Sequence, residues 1–109
     1  MTTGLRLIVT AAVPVSGVQA DIRHDSRLTV LTVTEGAVFA GGTCAENVTT
    51  IGRLQLGCVT STTAATPVLA WTIGVRHSSQ VNPESAVTSL TCTAADALGN
   101  PIAATCAFE

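Results

Sequence analysis

The sequence predicts an all-β fold, an antiparallel β-sandwich of jelly-roll or immunoglobulin-like type with about eight strands tied by disulfides. Three observations carry that expectation. Apolar and polar residues alternate with a period of two along most of the chain. Turn-forming residues interrupt the alternation at short, regular intervals. The four cysteines fall into two pairs of equal spacing, Cys44 with Cys58 and Cys92 with Cys106, each fourteen positions apart around a central glycine, Gly52 or Gly99.

The elements follow in order. The opening segment Leu5–Val15 is apolar and β-prone, with Arg6 its one charge. Met1–Ala20, with Arg6, the run Leu7–Val13 and the small-residue ending Val18-Gln19-Ala20, has the outline of a signal peptide, but the apolar stretch is short and holds Thr10 and Pro14, so it reads as a strand. Any signal peptide is then expected upstream of Met1. Val18, Ala20 and Ile22 alternate with Gln19, Asp21 and Arg23, the pattern of a half-buried strand. Leu54, Leu56 and Cys58 oppose Arg53, Gln55 and Gly57. Leu69, Trp71, Ile73 and Val75 are expected on one face, with Ala70 and Thr72 on the other. Leu90, Cys92 and Ala94 oppose Thr91 and Thr93, and Ile102, Ala104, Cys106 and Phe108 oppose Ala103, Thr105 and Glu109. Turns are expected at Ser16-Gly17, Asp25-Ser26, Glu35-Gly36, Gly41-Gly42, Ile51-Gly52, Thr66-Pro67, Asn82-Pro83 and Gly99-Asn100-Pro101. Polar surface loops are expected over 60–66 and 77–85. No linker divides the chain, so residues 1–109 read as a single domain.

Composition narrows the function. Charged residues make up 11% of the chain, well below the roughly 25% usual in soluble proteins. A surface of Thr, Ser, Ala and Gly is cheap to desolvate, which suits burial against neighbours. A net charge of −2, with no lysine, leaves no basic patch for nucleic acid. No apolar run reaches the roughly 20 residues of a membrane helix, so membrane insertion is not expected.

An even cysteine count in a small domain points to an oxidising compartment, hence to an extracellular or cell-surface protein. Four cysteines allow three pairings. Hairpin symmetry favours Cys44–Cys58 with Cys92–Cys106. The rival is an immunoglobulin-type Cys58–Cys92 bridge, because Trp71 follows Cys58 by thirteen positions. That spacing is short for the immunoglobulin fold, and Leu90 stands where its corner tyrosine belongs.

Catalytic chemistry finds little purchase. Asp21, His24 and Asp25 cluster in sequence, but strand parity sends His24 to the face opposite the two aspartates. A strand end capped by an Asx-type turn at Asp25 is the plainer reading. His77 reads as a surface histidine beside a polar loop. No glycine-flanked nucleophile and no Cys-x-x-Cys spacing is present, so no enzyme activity, metal or cofactor is expected. Carbohydrate binding, the alternative function, calls for exposed rings. Of the three aromatics, Trp71 falls on an apolar face, leaving Phe39 and Phe108. Asn47-Val48-Thr49 forms an N-glycosylation sequon, with Asn47 the acceptor.

The segment Gly17–Gly36, with Asp21-Ile22-Arg23-His24-Asp25 leading into Leu28-Thr29-Val30-Leu31-Thr32-Val33, resembles the second hairpin of bacterial cohesin modules. Gly52-Arg53-Leu54-Gln55-Leu56 and Leu69-Ala70-Trp71-Thr72-Ile73-Gly74-Val75 are similar to that family's middle strands. Gly99-Asn100-Pro101 resembles its closing turn. His24 and Ser26 stand where that family carries tyrosine and proline. The resemblance implies a jelly-roll-like sandwich and a non-catalytic, protein-binding role on the bacterial surface. A homo-oligomer or polymer is a further expectation: Leu5, Leu7, Val9, Ala11, Val13 and Val15 form a candidate strand to be exchanged with a neighbouring copy, which would propagate into a filament.

Overall fold

The computed structural model describes residues 1–48 and 51–109. Among the described residues, nine strands form two antiparallel sheets. In chain order they are β1 (Thr2–Ala11), β2 (Val15–His24), β3 (Thr29–Glu35), β4 (Thr43–Asn47), β5 (Arg53–Ala64), β6 (Val68–Arg76), β7 (Val87–Ala95), β8 (Pro101–Ile102) and β9 (Ala104–Phe108). One 3-10 turn, Pro83–Ala86, precedes β7 and is capped by the Asn82 side chain, which accepts from Glu84 N. The four-stranded sheet runs β3-β6-β1-β9 and the five-stranded sheet β4-β5-β2-β7-β8. No described helix is long and apolar enough to cross a membrane.

Alternation builds the core. Leu5, Leu7 and Val9 of β1, Val18, Ala20 and Ile22 of β2, Leu54, Leu56 and Cys58 of β5, and Trp71, Ile73 and Val75 of β6 are all buried between the sheets. Phe39, carried by the crossover from β3 to β4, closes one end of this core and is fully buried. The hairpin glycines Gly52 and Gly99 adopt φ of 76° and 81°, a conformation side chains resist.

Several expectations fail for local reasons. Ser16 and Gly17 lie inside β2; the chain reverses at Ala12–Pro14 instead, because Pro14 ends the ladder. Leu5–Val15 is therefore not one strand: β1 ends at Ala11, Val13 is exposed in the turn, and Val15 opens β2. Residues 60–64 are strand rather than loop. They arch outward, since the register passes from Gly17↔Val59 to Val15↔Ala64 and leaves four residues of β5 opposite Ser16 alone. Ser16 Oγ donates to Thr62 O across that arch. A bulge at Ala70, where the register steps from Leu7↔Trp71 to Ile8↔Leu69, reverses the parity of β6. Ala70 and Val68 then point inward and Leu69 stays half-buried, so Leu69 does not share the Trp71 face.

The disulfides are Cys44–Cys58 and Cys92–Cys106, and they differ in kind. Cys44 and Cys58 are direct partners in the β4–β5 hairpin, with Cα atoms 4.1 Å apart. Cys92 and Cys106 are not a hairpin pair. The chain pairs with β7 at Pro101–Ile102, then leaves at Ala103 to join β1, so this bridge staples the two sheets together. Likewise Gly17–Gly36 is not a hairpin, because β2 and β3 belong to different sheets.

Candidate docking surface

The inward residues of β2, β5 and β7 fix what the opposite face displays, and on the five-stranded sheet the registers align that face into rows. One row runs Thr43, Val59, Gly17, Ala95 and Pro101. The next runs Ala45, Gly57, Gln19 and Thr93, and the third Asn47, Gln55, Asp21 and Thr91. Small residues, Gly17, Gly57, Ala45 and Ala95, thus sit together over the first two rows. They form the floor of a trough made of two adjoining depressions of about 530 and 570 Å³. Val59, 63% exposed, stands on one wall, and Gly99 and Pro101 edge the other.

The two strand glycines in this floor have no steric reason to be glycine. A Cβ on Gly17 would meet Ala95 Cβ at 3.6 Å, and one on Gly57 would meet Gln19 Cγ at 3.7 Å, both ordinary contacts. Neither has positive φ. Gly36 contrasts with them, because a Cβ there would collide with the Leu69 carbonyl. Glycine inside a strand weakens it and often marks close approach by another molecule.

The far end of the face is charged. Arg53 Nε donates to Asp21 Oδ1 at 3.0 Å and Nη2 to Oδ2 at 2.6 Å, a bidentate pair across β5 and β2. That hydrogen bonding holds the Asp21 carboxyl below the usual carboxylate range. The trough therefore grades from small and apolar at the β8 end to polar and charged at the other.

The residues singled out from sequence are scattered over the fold. Asp21 is tied to Arg53, while Asp25 is tied to Arg27, whose backbone N–H closes the Asx turn on Asp25 Oδ1 at 2.9 Å. These bonds to Arg27 hold Asp25 low. His24 Nδ1 lies 2.9 Å from Asp25 O. His77 is not a surface residue. It is 6% exposed, with Nε2 2.7 Å from Thr3 Oγ1 and Nδ1 2.7 Å from Ser78 O, and so clasps the start of β1 to the end of β6. No three His, Cys, Asp or Glu side chains converge among the described residues. Asn47 lies at the end of β4, where its Nδ2 donates to Gln55 Oε1; Thr49, which completes the sequon, falls outside the described residues. Of the exchange candidates, Leu5, Leu7, Val9 and Val15 are buried and Ala11 half-buried, with β1 seated between β6 and β9 of its own chain. Trp71 and Phe39 are buried and Phe108 is half-buried, so none of the three rings is exposed.

Gly17, Gly57 and their small neighbours escaped the sequence reading. Gly17 passed for a turn residue and Gly57 for an ordinary solvent-face position. The available signal was two glycines at the same parity in strands without turn chemistry around them.

One further acidic pair lies beside the trough, where Glu46 lines one of its depressions. Glu46 of β4 faces Glu35 of β3, and the Glu46 carboxyl is raised, first by desolvation and then by Glu35, which favours a protonated Glu46 able to donate a hydrogen bond and repels its charged form.

No protein-family model and no curated protein matches the chain. The structure is similar to that of a non-cellulosomal cohesin from the hyperthermophilic archaeon Archaeoglobus fulgidus, with a TM-score of 0.75 over 94% of this chain and 72% of that one, at 14% sequence identity. Two disulfide-tied sheets of four and five strands in that arrangement give this chain a cohesin-like fold.

Proposed function

We propose that this chain is a non-catalytic, extracellular protein-docking module, with the outer face of the five-stranded sheet as its docking surface. The single observation behind this reading is the trough floored by Gly17 and Gly57, two strand positions where a side chain would fit and none is present. The cohesin-like fold supports a role in protein contact, though a fold is shared by many functions and the site must carry the argument. The paired disulfides and the low charge content support an extracellular setting and a readily desolvated surface.

The test places a photo-crosslinking amino acid at Gln19, in the trough, and at Thr10, exposed on β1 inside the other sheet, in the native host surface extract. The reading expects a discrete protein adduct from Gln19 and none from Thr10. The recombinant partner so identified should then lose at least about tenfold in affinity for Gly57→Trp. Equal adducts from both positions, or unchanged affinity in Gly57→Trp, would sink it. Carbohydrate recognition is the competing outcome and would appear as binding of soluble glycans without any protein adduct.

A further inference from the structure

The charged end of the five-stranded sheet's outer face holds a pairing that the fold does not balance. Arg23 of β2 stands directly opposite Arg53 of β5 on one side and Ser89 of β7 on the other. Like charges directly opposite each other on neighbouring strands are destabilising. One carboxylate stands beside both arginines. Asp21, two positions along the same face of β2, gives Oδ1 to Arg53 Nε and Oδ2 to Arg53 Nη2, so both its oxygens are taken. Arg53 lowers the Asp21 carboxyl first, by hydrogen bonding, whereas Arg23 acts last and through space alone. Among the described residues Arg23 makes no ion pair and no side-chain hydrogen bond, and the Ser89 hydroxyl is equally free. Both residues are exposed.

No neighbouring acid supplies the second carboxylate. Glu46 stands in register with inward-facing Leu56 and faces Glu35 of the other sheet. Asp25 is held by Arg27 through both its oxygens. The row Arg53, Arg23, Ser89 and its Asp21 therefore keep one uncompensated positive charge, on a chain whose net charge is −2. Arg23 shares the face of Gly17, Gln19 and Asp21, and lies about 20 Å along β2 from the Gly17 floor at the usual strand rise. The residues between them on β5, Gln55 and Gly57, are neutral.

We propose that the protein segment docked on this face is acidic at that end. A partner Asp or Glu carboxylate takes Arg23 in the bidentate fork that Asp21 gives Arg53, with Ser89 Oγ as a further donor. An apolar side chain of the same partner covers Gly17 beside Val59. A single carboxylate matches the one uncompensated charge. A phosphate dianion or an anionic membrane would meet too few cations there, against a chain that is negative overall. Arg23 thereby fixes which way round the partner lies along the trough, because the apolar end offers no charge to orient it. This inference rests on the docking function of the trough and names the chemistry of its partner.

A display library of random peptides of about 16 residues, long enough to span the face as strand or helix, is panned on the oxidised chain. Peptides recovered on wild type and lost on Gly57→Trp, or on Gly57→Gln should the larger ring disturb the strand, are those that occupy the trough. They should be enriched in Asp and Glu, and should bind Arg23→Gln at least about tenfold more weakly. Panning on Arg23→Glu should enrich Lys and Arg instead. Arg23→Gln should melt no lower than wild type, since it relieves the repulsion with Arg53. Trough peptides without acidic enrichment, or with unchanged affinity for Arg23→Gln, would overturn the proposal and leave docking intact. A lower melting temperature for Arg23→Gln would overturn it too, by showing that Arg23 is spent within the fold. If no recovered peptide responds to either Gly57 variant, the docking reading fails and this inference fails with it.

Discussion

At the scale of single residues, the informative positions are those where an ordinary rule is broken without local cause. Gly17 and Gly57 weaken their strands at positions where a Cβ would make only ordinary contacts. Gly57→Ala should raise stability by about 0.4–1 kcal/mol, because the residue fits and the unfolded chain loses freedom; thermal melting checks this, and no gain would mean the site is already strained. The carboxyl groups predict a pH profile with two opposed limbs. Asp21, Asp25 and Asp96 are held low, by Arg53, by Arg27, and for Asp96 by the backbone N–H groups of Asn100 and Leu98. Their contribution is present above the ordinary aspartate value and lost as pH falls through their folded values. Glu46 is held high, so its contribution is present below the ordinary glutamate value and lost as pH rises through its folded value. Stability should therefore peak at mildly acidic pH, between the lowered aspartates and the raised Glu46. Glu46→Gln should remove the decline towards neutral pH, and chemical denaturation across pH measures it.

At the scale of elements, β1 is the strand on which the four-stranded sheet depends. It pairs with β6 from Thr2 to Val9 and with β9 from Leu7 to Ala11, and it buries Leu5, Leu7 and Val9. Leu7→Ala should cost about 2–5 kcal/mol, the range for emptying a well-packed leucine site. The exchange proposal attached to this segment has a direct check. A chain beginning at Val15, which keeps all of β2, should fail to fold alone and should be rescued by a peptide spanning Thr2–Ala11, which would show that β1 can act in trans. Folding without the peptide would end the strand-exchange idea. Alternation located the strand interiors well, as in β2 and β5, where the inward residues are those expected. It failed at Ala70 and over 60–64, where a bulge or arch inserts residues and shifts parity, and nothing in a period-two pattern marks an insertion in advance.

At the scale of the molecule, two bridges closing equal loops do unequal work. The loop-entropy account gives each about 3 kcal/mol, so position must separate them. Cys44–Cys58 ties an edge hairpin within one sheet, whereas Cys92–Cys106 joins β7 to β9 across the two. Replacing Cys44 and Cys58 by alanine should speed amide exchange in β4 alone. Replacing Cys92 and Cys106 should speed it in β9, β1 and β7 together. Identical exchange maps would show that both bridges act only on the unfolded chain.

What the amino-acid order decided alone was the division between inside and outside along most strands and the positions of the reversals at Gly52 and Gly99. Those are local properties, set by side-chain polarity at alternate positions and by backbone conformations only certain residues tolerate. The tertiary structure alone decided that β2 and β3 part company into separate sheets, that Cys92–Cys106 spans the sandwich, that His77 is buried, and that the glycines of β2 and β5 meet in one floor. Each of these depends on which distant strands lie side by side, and alternation reads the same whichever neighbour a strand takes.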